Sequence, residues 1–165
     1  LKVNEFADYC FCSDWDGNGE IYNRDGKVVW RFRSTGLGCR AADSGNGSPL
    51  FVFSGADGKE LAVIRREKRL PLARFAVFEN DSRTCTIWQR TLTFSKYELE
   101  FKKAKWTLRM PMFSVFMRAT ANDGSEILFR VHSRRQWFMR MPAGSDETSM
   151  MTALAYVARK KLQCT

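Results

Sequence analysis

Residues 150–158 read M-M-T-A-L-A-Y-V-A, and how this run is housed decides the fold. Asp146 and Glu147 precede it, and Arg159, Lys160 and Lys161 follow it. Those signs suit a helix dipole, and with Ser145 as the expected N-cap they predict a helix over about residues 146–163. A surface helix keeps a polar face, but Thr152 is the sole polar member of this run. The helix therefore has no side that can face water. It is also too short to cross a bilayer, which takes roughly 20 apolar residues, so protein must enclose it. A single sheet covers one face only. An eight-stranded barrel is filled by its own side chains, whereas a closed barrel of about a dozen strands has room for a helix. The small Ala153, Ala155 and Ala158 would let strand side chains approach closely, and Met150, Leu154 and Val157 are the expected core anchors.

The rest of the chain supplies the strands. In residues 27–33, Val28, Trp30 and Phe32 alternate with Lys27, Val29, Arg31 and Arg33, the period-2 pattern of a half-buried strand. Residues 20–23 read as its hairpin partner. Further strands are expected over 49–54, 61–66, 75–79, 84–90, 97–102, 106–110, 112–120, 126–132 and 136–141. Turn chemistry separates them at 23–26, 55–58, 79–82 and 122–124. Ten to twelve strands at this spacing point to an antiparallel sandwich or barrel, and the apolar helix selects the barrel. Residues 34–48 form one long polar, glycine-rich loop. The expected organisation is a lead-in segment over 1–18 and a single barrel domain over 19–165. The fold class is mainly β with one C-terminal helix: an antiparallel closed barrel of about 12 strands around a central apolar helix.

Composition narrows the function classes. At 165 residues, 44% of them hydrophobic and 13% aromatic, the chain can bury a sizeable core and is not disordered. Twenty-seven Lys and Arg against 18 Asp and Glu leave a net charge of +9, which favours polyanionic partners: acidic lipid, nucleic acid or acidic protein. No G-x-G-x-x-G, P-loop or H-E-x-x-H occurs. The single histidine, His132, has no matched carboxylate, and a thiol–imidazole pair with Cys85 or Cys164 has no local nucleophile motif behind it. Neither enzyme chemistry nor a cofactor is expected. The five cysteines, Cys10, Cys12, Cys39, Cys85 and Cys164, are scattered, and Cys10-x-Cys12 is too tight for a zinc knuckle. They read as structural or idle thiols of a reducing, cytoplasmic compartment. Asp14, Asp16 and Asn18 are spaced like the first donors of an EF-hand loop, with Asp25 at the closing position. Such a loop needs a helix leaving it. Here Gly26 and a strand follow, so the stretch reads as an entry loop plus a hairpin turn, and calcium is not an expected partner.

The hairpin E-I-Y-N-R-D-G-K-V-V-W-R-F (20–32) and the closing run D-E-T-S-M-M-T-A-L-A-Y-V-A-R-K-K (146–161) resemble the LURP-one-related proteins. These belong with tubby C-terminal domains and phospholipid scramblases in the tubby-like superfamily. The resemblance spans roughly residues 19–163 and rests on hydrophobic pattern. It implies a barrel around the closing helix and an association with membranes, since tubby domains bind phosphoinositides and scramblases act on phospholipids. Cys10-Phe11-Cys12 departs from the palmitoylated cysteine-rich segment of scramblases. The resemblance thus points to lipid binding more than to direct scrambling, although scramblase-like transfer stays open.

The candidate contacts for an anionic headgroup are the basic clusters: Arg65, Arg66, Lys68 and Arg69; Lys102, Lys103 and Lys105; and Arg134 and Arg135 beside Arg130. Two clusters meeting on one barrel rim would clamp a phosphorylated headgroup. The expected function is a non-catalytic, peripheral binding module for anionic phospholipid or phosphoinositide. The alternatives are a protein-interaction or structural barrel without a lipid role, and a nucleic-acid binder that stacks bases on tryptophan. Trp30, Trp88, Trp106 and Trp137 are read as core members first, which argues against the last.

Overall fold

The computed structural model describes residues 7–35, 49–68, 71–93, 95–111, 114–133 and 135–164, with side chains as far as 160. Each alternating stretch forms a strand, and the order is β1 (Tyr9–Ser13), β2 (Gly19–Asn23), β3 (Val28–Ser34), β4 (Pro49–Gly55), β5 (Glu60–Lys68), β6 (Arg74–Glu79), β7 (Ser82–Gln89), β8 (Lys96–Phe101), β9 (Lys105–Arg109), β10 (Phe116–Ala121), β11 (Glu126–Ser133) and β12 (Gln136–Arg140). Every strand pairs antiparallel with its neighbours in sequence, and β1 pairs with β12 to close a twelve-stranded barrel. Closure runs in the register Phe11↔Trp137 and Cys10↔Phe138. One long helix, α1 (Thr148–Cys164), follows.

Local chemistry sets the turns. Asn80 and Asp81 both take positive φ, 49° and 64°, between the paired Glu79 and Ser82, which is the two-residue type I′ hairpin that asparagine and aspartate tolerate. Between β2 and β3, Asn23 N–H donates to Lys27 O and Gly26 N–H to Asn23 O. Gly26 supplies the positive φ of 76° that this three-residue turn demands. Its backbone bonds recur over 55–59 and 121–125.

The barrel interior is the core. Phe51, Phe53, Ile64, Phe75, Ile87, Tyr97, Leu99, Leu108, Phe129 and Met139 all point inward with no exposed surface. They surround α1, in which every residue from Ser149 to Arg159 is buried. Eleven consecutive buried residues leave no face for solvent, so the helix lies inside the wall, as its missing polar side requires. Thr152 satisfies its hydroxyl within the helix, donating to Thr148 O at 2.7 Å. Tyr156 stacks edge-on to Phe51 and Phe75, with centroids 5.6 and 5.1 Å away.

Three expectations need correction. The lead-in over 1–18 contains β1, because Tyr9, Phe11 and Ser13 alternate with Cys10 and Cys12 and bring Phe11 into the core. The helix starts at Thr148 and has no acidic residue in its first turn. Glu147, whose carbonyl accepts from Met151 N–H at 2.9 Å, holds the N-cap position in place of Ser145. Ser145 N–H is taken by Pro142 O, and the Asp146 carboxylate by the Tyr9 hydroxyl at 2.6 Å. These bonds keep both residues out of the helix. Trp88 is no core member: it stands on the outer wall between the guanidinium groups of Arg74 and Arg90, 5.2 and 4.9 Å from its ring.

Strands that alternate in direction place their connections alternately at two rims. The links β2–β3, β4–β5, β6–β7, β8–β9 and β10–β11, together with residues 141–147 leading into α1, lie at the rim where the helix enters. The links β1–β2, β5–β6, β7–β8, β9–β10 and β11–β12, with the end of β3 and the start of β4, lie at the opposite rim, where it ends. The glycine-rich stretch expected as a long loop falls, over 36–48, outside the described residues.

Candidate functional site: the rim at the end of the helix

Among the described residues, four large apolar side chains are exposed: Trp15 at 72%, Leu92 at 73%, Val115 at 52% and Phe116 at 55%. Trp15 lies in the β1–β2 link, Leu92 in β7–β8, Val115 in β9–β10, and Phe116 opens β10. All four therefore belong to the rim where α1 ends. Isolated exposed apolar residues are ordinary, but their gathering at one end of the molecule is informative.

These loops are tied down. Asp14 N–H donates to Asn18 O at 2.8 Å, and the Asp14 carboxylate accepts Asn18 N–H at 2.9 Å. The Asn18 side-chain oxygen accepts Ser34 N–H at 3.2 Å. Gly17 seats the loop on the buried Arg159 guanidinium of α1. In the β7–β8 link the Thr91 hydroxyl accepts both Ser95 N–H and Lys96 N–H, at 3.0 and 3.1 Å, which leaves Leu92 at the tip. Met110 N–H donates to Ser95 O at 2.8 Å and so joins the β7–β8 and β9–β10 links, while Val131 N–H donates to Val115 O at 2.7 Å. Backbone that is hydrogen-bonded on both sides of each apolar residue holds that side chain out in water.

Cations surround them. Arg135 lies 4.9 Å from the Trp15 ring centroid. Arg130 stands directly opposite Phe116, and Arg109 directly opposite Arg118, a like-charge pair that repels unless an anion lies between. Arg118 reaches Glu126 at 3.7 Å and Arg90 reaches Glu98 at 2.8 Å. Burial opposes ionisation of Glu98, but Arg90 and Lys105 outweigh it and hold its carboxyl below the ordinary range. Among the described residues, Lys68, Arg109, Arg130 and Arg135 have no carboxylate within ion-pair distance.

The clusters foreseen as one headgroup clamp are divided. Lys68 and Arg135 are at this rim. Arg66 points into its mouth over the Phe75 ring, at 5.8 Å. Arg65 faces outward from β5 over Phe78, at 5.9 Å. Lys102 and Lys103 form the β8–β9 turn at the opposite rim, and Lys105 starts β9 there, 3.5 Å from Glu98. Hairpin parity separates the two sets by the full height of the barrel. Arg69 and Arg134 lie outside the described residues. Arg90, Arg109 and the four apolar residues went unforeseen; the parity of the links was the signal that could have grouped them. At the entry rim, Lys102, Lys103 and Arg83 share a cleft of about 750 Å³ with Glu79, Glu100 and Glu147. Its balanced signs do not select an anion.

The other sequence candidates have settled places. His132 is exposed on the outer wall, 5.5 Å from the Phe138 ring, whereas Cys85 is buried in the core, so the two are on different sides of the wall. The Asp14–Asp25 stretch divides into the entry loop, strand β2 and the hairpin turn, with Asn23 Oδ1 accepting Asp25 and Lys27 N–H at 3.0 Å each. Among the described residues, no three His, Cys, Asp or Glu side chains gather as metal ligands, and no helix is long and apolar enough to cross a membrane. Comparison with protein-family models, curated proteins and solved structures returns no match.

Proposed function

We propose that the protein is a non-catalytic, peripheral binder of anionic phospholipid, docking to the cytoplasmic face of a membrane through the rim where α1 ends. The observation that carries this reading is the grouping of Trp15, Leu92, Val115 and Phe116 on hydrogen-bonded loops among Arg90, Arg109, Arg130 and Arg135. Apolar side chains held in water gain on entering the acyl boundary, and Lys or Arg near an anionic surface contributes about 1 kcal/mol each. Together such contributions reach on the order of 6–8 kcal/mol, a micromolar affinity. Arg109 and Arg118 face each other across strands, an arrangement that a headgroup phosphate between them would relieve. A tubby-like assignment of the barrel and its buried closing helix belongs to the same proposal.

Vesicle co-sedimentation at moderate salt tests it, comparing neutral phosphatidylcholine with vesicles that also carry phosphatidylserine or phosphoinositide. The protein should pellet with the anionic vesicles only. Trp15→Ser with Phe116→Ser should lower the affinity about tenfold, and Arg130→Glu with Arg135→Glu should abolish binding. Lys102→Glu with Lys103→Glu, at the far rim, should leave it unchanged. Equal and negligible binding to both vesicle types would end the proposal, as would tighter binding to single-stranded oligonucleotides than to anionic vesicles.

A further inference from the structure

On the outer wall at the barrel's closing seam, β1 alternates so that Tyr9 and Phe11 turn inward while Cys10 and Cys12 turn outward on the same face. Two residues of strand separate their backbones by about 6.6 Å, yet the sulfurs lean together to 3.8 Å. Gln136, directly opposite Cys12 on β12, turns its side-chain N–H toward both sulfurs, 3.4 Å from Cys10 and 3.9 Å from Cys12. The two thiols differ in access. Cys10 lies between Tyr22 of β2 and Phe138 of β12 and is wholly buried, whereas Cys12 is partly exposed.

We propose that Cys10 and Cys12 form a redox-active dithiol that exchanges with small-molecule disulfides, with Cys12 as the attacking thiol and Cys10 as the resolving one. Amide N–H groups aimed at a sulfur favour its thiolate, and a neighbouring thiol that donates its proton does the same. The hydrogen bond from Cys10, followed by that from Gln136, lowers the Cys12 thiol to about 7 against the opposing effects of burial and the Glu20 carboxylate. The same contact with Cys12, together with burial, pushes the Cys10 thiol up. For Cys85, burial and the nearby Glu100 carboxylate outweigh a hydrogen bond from the Glu100 backbone and push the thiol up to about 12.

The exchange balances without a further reactant. The Cys12 thiolate attacks one sulfur of R–S–S–R, the S–S bond breaks, and one RS⁻ leaves to take a proton from water. The mixed disulfide Cys12–S–S–R is then attacked by Cys10, which gives up its proton. A second RS⁻ departs and is protonated, leaving the Cys10–Cys12 disulfide and two RSH. Two electrons pass from the protein to the small disulfide. The strand spacing lies near the upper end of the roughly 4.4–6.8 Å that disulfides span. With one sulfur of the pair accessible, excess thiol can attack and reverse the bond, the behaviour of a labile pair in contrast to a structural one.

The test treats the full chain with glutathione disulfide and maps the products by non-reducing peptide mass spectrometry. The wild type should lose two hydrogens from the peptide holding Cys10 and Cys12 and regain them with excess reduced glutathione. Cys10→Ser should halt at a glutathione adduct on Cys12. Iodoacetamide labelling provides an independent readout on the unmodified fold. Cys12 should react faster than Cys85 at neutral pH, and Gln136→Leu should slow it about fivefold at pH 7, the fall in thiolate fraction when a thiol near 7 rises by one unit. The proposal fails if no Cys10–Cys12 disulfide forms at any glutathione ratio, or if Cys12 in the folded wild type reacts no faster than it does in the urea-unfolded chain.

Discussion

Gly17→Ala is the most exacting test of how the rim is held on the end of the helix. Gly17 has φ +85°, and a Cβ added there would overlap the Nε and Cζ atoms of Arg159. Gly58 shares φ +85° but has no atom within 4 Å of the same added Cβ. Alanine at Gly58 therefore pays only left-handed backbone strain, about 1–2 kcal/mol. Alanine at Gly17 suffers that strain and also displaces a guanidinium that is only 6% exposed. Shifting a buried charged group off its contacts adds about 2 kcal/mol. Urea denaturation should place the Gly17→Ala midpoint about 1 M below that of Gly58→Ala at equal slope. Arg159→Met removes the atoms in the way, so a double-mutant cycle should return a coupling of about 2 kcal/mol. Coincident midpoints for the two alanine variants, or a coupling indistinguishable from zero, would refute the seating of the Trp15 loop on the helix.

Other perturbations address the core, the buried thiol and the docking rim. Leu154 has no exposed surface, so Leu154→Asp buries an unpaired charge and should leave no soluble protein that melts cooperatively; a clean thermal transition would contradict enclosure of the helix. Burial raises the Cys85 thiol from an ordinary 9 to about 12. Its contribution is complete below pH 9 and is lost as the unfolded chain ionises between pH 9 and 12, about 1.4 kcal/mol per pH unit. Cys85→Ala should flatten that part of the stability profile, measured by denaturation at stepped pH. Raising salt from about 0.1 to 0.5 M should weaken binding to anionic vesicles at least tenfold. The variant carrying Lys102→Glu and Lys103→Glu, whose charges lie at the far rim, should keep the same dependence in the co-sedimentation assay.

The architecture was legible because it follows from patterns local to the chain. A nine-residue run with Thr152 as its one polar member has no side for water whatever surrounds it. Period-2 alternation around Trp30, Leu99 and Phe129 marks strands without any knowledge of their partners. The strand missed, β1, is only five residues long, and two of its apolar positions are cysteines, which carry little alternation signal. Trp88 was misassigned because its neighbour Ile87 occupies the core-facing position, and a one-residue change of phase moves a side chain to the other face.

The docking rim is a different matter. Trp15, Leu92, Val115 and Phe116 are spread over a hundred residues, and nothing in their local sequence connects them. Only the closed meander, with its links alternating between two rims, brings them together and sends Lys102 and Lys103 to the far end. The amide that faces the Cys10 and Cys12 sulfurs likewise comes from Gln136 on the last strand. Hydrophobic periodicity is written along the chain and can be read there; which surface groups share a face depends on closure of the barrel, a property of the folded chain as a whole.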